Sequence, residues 1–82
     1  MDERVRMSPS RARVEALMQG GDWWRTDRLA QTLGMRNIGT VTSKIRDLAA
    51  YFGWSYERRK TDEAGIFEYR LVPRNPGQLP LL

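Results

Sequence analysis

The sequence predicts one small α+β domain in which helices are followed by a pair of strands. Three observations lead there. A run of helical spacing breaks at Gly34 and resumes after Asn37, the period changes from helical to two after Gly53, and from Pro73 three prolines and a glycine in PRNPGQLPLL fit neither pattern. The expected organisation is an N-terminal arm over 1–7, a folded domain over 8–73 and a flexible C-terminal tail over 74–82, whose Leu79, Leu81 and Leu82 are apolar enough to dock on a partner.

The first helix should open at Ser8 as cap, with Pro9 in the first turn where its missing N–H does no harm. Val14, Leu17 and Met18 form its apolar stripe, Gly20 and Gly21 end it, and Arg11, Arg13 and Glu15 are expected to face solvent. One indole of Trp23 or Trp24 is then expected to enter the core. In TDRLAQTLGM, Thr26 is the expected N-cap of a second helix whose Leu29, Ala30 and Leu33 share one side. Gly34 stops that helix, because a residue without Cβ takes the left-handed conformation at little cost, and Met35 can fold back onto the apolar side. A third helix opens near Asn37 and buries Val41, Ile45, Leu48, Ala49 and Phe52 at spacings of three and four. Its opposite side carries Thr40, Ser43, Lys44 and Asp47, with Arg36, Asn37 and Gly39 at its start.

Beyond Gly53, Trp54, Tyr56 and Arg58 alternate with Ser55, Glu57 and Arg59, and Phe67, Tyr69 and Leu71 alternate with Glu68, Arg70 and Val72. KTDEAG between them suits a loop, so the two strands should pair antiparallel as a hairpin. Arg58, Arg59 and Lys60 would lie near its tip, where cations can reach phosphates or a narrow minor groove. Alternation sends Arg58 and Arg59 to opposite sides, so at most two of the three can serve one phosphate track.

Composition narrows the functional classes. Eighty-two residues with 40% hydrophobic content suit one modest core. Cysteine and histidine are both absent, which removes disulfides, thiol nucleophiles, histidine acid–base chemistry and ordinary zinc sites. No carboxylate pair of defined spacing, activated nucleophile or nucleotide-binding glycine motif stands out, so neither an enzyme nor a cofactor is expected. Fourteen Lys plus Arg against ten Asp plus Glu give a charge of +4, with arginine preferred, the residue that pairs bidentately with phosphate or guanine. That excess also fits an ordinary solvated surface. No apolar stretch approaches the roughly 18–20 residues of a membrane span, so the expected location is the cytoplasm, with no membrane partner.

Residues Arg11 to Pro73 resemble the winged helix-turn-helix superfamily. SKIRDLAAYFGWSYERR followed by GIFEYRLVP is similar to small helix-turn-helix DNA-binding proteins of phages and prophages, in which a recognition helix with I.DL...G spacing leads into a hairpin ending in Y.L. The resemblance covers about three quarters of the chain and rests mostly on core positions. It implies a winged helix-turn-helix fold of three helices with a small antiparallel sheet, in the order helix, short strand at Trp23 or Trp24, helix, helix, strand, strand, and binding of double-stranded DNA by a transcriptional regulator. Arg36, Asn37, Thr40, Ser43 and Lys44 on the helix starting near Asn37 would meet the major groove, and Arg58, Arg59 and Lys60 would lie on the wing. The stretch Met35 to Gly39 is a residue longer than the tightest turns of the family, which places Gly39 inside or just before the helix start and leaves the register of the base-reading positions open.

Each of these residues has a plainer role open to it. Thr40, Thr42 and Ser43 also suit an exposed helix side, and Asp47 would repel phosphates unless it pairs with Lys44 or Arg46 or accepts from a cytosine amino group. One recognition helix per chain leads to the expectation of a homodimer on two half-sites. The alternative is a winged-helix module with a protein partner, such as a phage-encoded inhibitor or adaptor. Trp23 or Trp24, Tyr51 and the acids Asp47, Asp62 and Glu63 favour it.

Overall fold

Pro9 and the Ser8 hydroxyl start the first helix, as their chemistry requires: the Ser8 side chain accepts from the Arg11 N–H at 3.2 Å, and Pro9 has no N–H to satisfy. In this computed structural model, which describes residues 7–73, α1 spans Pro9–Met18, β1 Trp24–Arg25, α2 Thr26–Leu33, α3 Ile38–Tyr51, β2 Trp54–Lys60 and β3 Phe67–Pro73. The protein is therefore α+β, with three helices and a three-stranded antiparallel sheet. The arm and tail expected over 1–7 and 74–82 lie outside the described residues except for Met7, which packs against the core.

The sheet order is β1-β3-β2, so β3 is central and the two-residue β1 forms one edge. Trp24 pairs with Tyr69 and Arg25 with Glu68, while β2 runs from Trp54 opposite Pro73 to Lys60 opposite Phe67. Facing residues in an antiparallel ladder share a side. Trp24, Trp54, Tyr56, Tyr69 and Leu71 therefore point toward the helices, and Arg25, Glu57, Arg59, Glu68 and Arg70 point away from them. Val14 and Met18 of α1, Leu29, Ala30 and Leu33 of α2, and Val41, Ile45 and Leu48 of α3 meet Tyr69 and Leu71 in one buried cluster. Each fully buried side chain of this kind contributes about 1.5–3 kcal/mol from leaving water.

The turn between α2 and α3 forms as its sequence predicts. Gly34 is left-handed at φ 71°, its N–H donates to the Gln31 carbonyl at 3.2 Å, and the Met35 N–H donates to the Ala30 carbonyl at 2.8 Å. This is the Schellman arrangement, which satisfies the Ala30 and Gln31 carbonyls of α2 and folds Met35 onto the core. Asn37 then caps α3, its Oδ1 accepting from the Gly39 N–H at 2.7 Å. A Cβ at Gly39 would lie 3.0 Å from that same oxygen, so the glycine leaves room for the cap.

Three local expectations are corrected. Thr26 is not the cap of α2. It is the first residue of the helix and 2% exposed, and its Oγ1 donates to the Phe67 carbonyl at 3.3 Å. β1 runs straight into α2, which turns Thr26 inward, where its hydroxyl needs an acceptor that β3 supplies. Arg11 and Glu15 do not simply face solvent either: Arg11 reaches Asp47 on α3, and the Trp54 Nε1–H donates to Glu15 Oε2 at 2.8 Å. Both bonds hold α1 against the elements that follow α2.

Candidate nucleic-acid interface

The side of α3 opposite Val41, Ile45 and Leu48 carries short residues. Thr40 and Ser43 are exposed there, as are Arg36 and Asn37 in the preceding turn, whereas Lys44 is half-buried on the flank of the helix. Five of the expected site residues thus gather around the first two turns of α3, four of them in open solvent. Asn37 has less to offer a base than its residue type implies. Pairing with adenine needs both the oxygen and the nitrogen of the amide, and Oδ1 already holds the Gly39 N–H.

Asp47 pairs with neither Lys44 nor Arg46. The Arg11 guanidinium grips its Oδ2 from Nε at 3.0 Å and from Nη2 at 2.8 Å, with the two side chains only 17% and 27% exposed. The carboxylate that threatened to repel phosphates is thereby turned toward α1 and neutralised. Arg46, three residues beyond Ser43, is exposed and has no acidic partner among the described residues. From sequence it enters only as a mate for Asp47, although its helical position relative to Val41, Ile45 and Leu48 already places it outward.

The hairpin divides its three cations. Arg58 and Lys60, opposite Tyr69 and Phe67, share the helix side of the sheet beyond the reach of α3, both exposed, with the Arg58 guanidinium 4.8 Å from the centre of the Phe67 ring. Arg59 lies on the other side. Its guanidinium rests 4.1 Å from the Trp23 ring centre and its Nε donates to Glu68 at 2.7 Å. Arg70 approaches the same indole at 4.8 Å and donates from Nε to Glu57 at 2.6 Å. Neither Trp23 nor Arg70 shows this part in the sequence, because the cluster joins three segments far apart in the chain.

The connecting loop is internally braced. The Thr61 hydroxyl donates to the Ile66 carbonyl at 2.8 Å and accepts from the Glu63 N–H at 3.1 Å. Arg25 ties this loop to the body, its Nη2 donating to Glu63 at 2.9 Å and to Asp27 at 3.0 Å. The hydrogen bonds from Arg25 hold the Asp27 carboxyl below its ordinary range, while Asp27 and Glu63 hold the guanidinium proton more tightly still.

Ion pairing therefore sorts the charges. Among the described residues, Asp27, Asp47, Glu57, Glu63 and Glu68 each hold an arginine, while no salt bridge reaches Arg13, Arg28, Arg36, Lys44, Arg46, Arg58 or Lys60. No family model, curated protein or solved structure matches this chain. What the surface can bind follows from its own chemistry. No helix among the described residues is long and apolar enough to cross a membrane.

Proposed function

We propose that this chain is a winged helix-turn-helix protein of phage or prokaryotic type that binds double-stranded DNA and regulates transcription. In this reading α3 enters the major groove and the β2–β3 hairpin is the wing. The observation that carries it is the sorting of charge among the described residues: Asp27, Asp47, Glu57, Glu63 and Glu68 are neutralised by Arg11, Arg25, Arg59 and Arg70, and the cations without an acid include Arg36 and Arg46 about α3 and Arg58 and Lys60 on one side of the hairpin. Arginine and lysine left open beside short helix residues suit phosphate binding with close approach to base edges. One α3 per chain again calls for two copies on an operator.

Most features that favoured a protein partner instead are occupied within the fold. Trp23 lies against two arginines, Asp47 holds Arg11, and Glu63 holds Arg25. Tyr51, 44% exposed at the end of α3, and Asp62, exposed in the hairpin loop without a salt bridge among the described residues, remain outside that pattern.

The test is retention of a mixed pool of duplex fragments by the purified protein at about 50 and 200 mM salt, with sequencing of the bound fraction. Phosphate binding predicts a steep fall in retention between the two conditions, and operator reading predicts an enriched motif. No retention at the lower salt overturns the proposal.

A further inference from the structure

Gly39, Ser43, Arg46 and Ala50 follow one another at spacings of four, three and four, on the side of α3 opposite Val41, Ile45 and Leu48, and all four are exposed. Arg46 is the one long side chain on this ridge. Its neighbours are too short to reach past it, and no acid among the described residues holds its guanidinium. The other donors around α3 are constrained: Lys44 is half-buried on the flank, Asn37 Oδ1 is bonded to Gly39, and Arg36 stands in the turn before the helix. Arg11, by taking Asp47, also removes the carboxylate immediately adjacent to Arg46 in sequence.

We infer that Arg46 is a specificity-determining residue that reads one guanine of the duplex through O6 and N7. The inference rests on the DNA-binding reading above. The chemistry follows from the fork of the guanidinium: two parallel N–H donors match the two acceptors that guanine alone presents side by side in the major groove. A ridge that is otherwise glycine, serine and alanine lets the helix backbone approach the groove floor, so the arginine reaches the base edge instead of stopping at phosphate.

The experiment compares the full chain with Arg46→Ala and Arg46→Lys in pooled-duplex selection, after thermal melts of all three, with Arg13→Ala on α1 as control. The wild-type motif should contain a guanine position that flattens in Arg46→Ala, with affinity for the best site falling about 5- to 150-fold, equivalent to about 1–3 kcal/mol. Arg46→Lys should keep part of the affinity and lose discrimination, and Arg13→Ala should leave the motif unchanged. Placing 7-deazaguanine at that position removes the N7 acceptor, and should weaken wild type while leaving Arg46→Ala indifferent. A motif unchanged in Arg46→Ala, or an equal fall on every sequence, overturns the assignment while DNA binding stands. Wild-type protein that retains no duplex at low salt overturns both.

Discussion

Two arginine-rich regions of this molecule differ in almost everything but composition. On the sheet side away from the helices, Arg25, Arg59 and Arg70 meet Asp27, Glu63, Glu68 and Glu57, and two of them rest on Trp23. Around α3 and the helix side of the hairpin, Arg36, Arg46, Arg58 and Lys60 meet no acid among the described residues. The first region uses guanidinium geometry to fasten three segments together, and the second leaves the same chemistry available to a ligand. A net charge of +4 is therefore a poor description of the surface. What matters is where the ion pairs form: Asp27, Glu57, Glu63 and Glu68 are taken up in one region and Asp47 by Arg11, which leaves the cations of the other without an acid.

The largest expected effect breaks the comparison at the open region. Replacing Arg36, Arg58 and Lys60 together by glutamine should weaken duplex binding by at least an order of magnitude at low salt. The slope of log affinity against log salt should fall by about 0.9 for each phosphate that is no longer neutralised. Filter binding over a salt series reads both quantities. An unchanged slope would mean that these cations are merely solvated.

A sharper form uses neighbours. Arg58 and Arg59 are adjacent in sequence and on opposite sides of β2, so single substitutions separate side from composition. Arg58→Gln should lower the salt slope and cost only its cation–π contact with Phe67, about 0.5 kcal/mol. Arg59→Gln should leave the slope alone and cost about 1 kcal/mol in a urea melt, since it removes one partly exposed ion pair and the stacking on Trp23. The reverse pattern would put the wrong side of the hairpin against DNA. Trp23→Ala tests the fastened region from its centre, with stability expected to drop by about 1–2 kcal/mol from two cation–π interactions at exposed strength and no change in salt slope.

The periodic part of this architecture is readable in the sequence. Ser8 with Pro9, Gly34, Asn37 and the switch of period after Gly53 each act within a few residues, so the three helices and the antiparallel hairpin follow from local chemistry, whereas the two-residue β1 is expected only from the family resemblance. The alternation that separates Arg58 from Arg59 is equally plain. Bonds between distant segments are not readable. Arg11 with Asp47, Glu15 with Trp54 and Arg25 with Glu63 join residues 36 to 39 apart, and a charged side chain on a helix looks solvent-facing until its neighbour in space is known. Thr26 misleads for a related reason: a hydroxyl before an apolar run reads as a cap, and only the docking of β1 on β3 shows that it is buried. Arg46 is legible in principle from the helical wheel, but Asp47 beside it suggests a local pair that does not form.

The smallest effect erodes the difference between the regions with protons. Hydrogen bonds from Arg25 lower the pKa of Asp27, so the folded protein binds this proton less readily than the unfolded chain. The pair's contribution to stability is then fully present above the ordinary aspartate range near pH 4 and disappears as pH falls through the lower folded value. Asp27→Asn should accordingly melt slightly below wild type at pH 6–7, and the two melting curves should converge as pH drops below about 4. Both partners are substantially exposed, at 30% and 41%, so the gap should also narrow in about 1 M salt, where exposed charges are screened within a few ångströms. A gap that persists at low pH would assign the role of Asp27 to its other bond, the acceptance of the Arg28 N–H at 2.8 Å in the first turn of α2, which the asparagine oxygen can reproduce only in part. Protonation of Asp27 also takes one of the two acids from Arg25, so lowering the pH brings the fastened region electrostatically nearer to the open one.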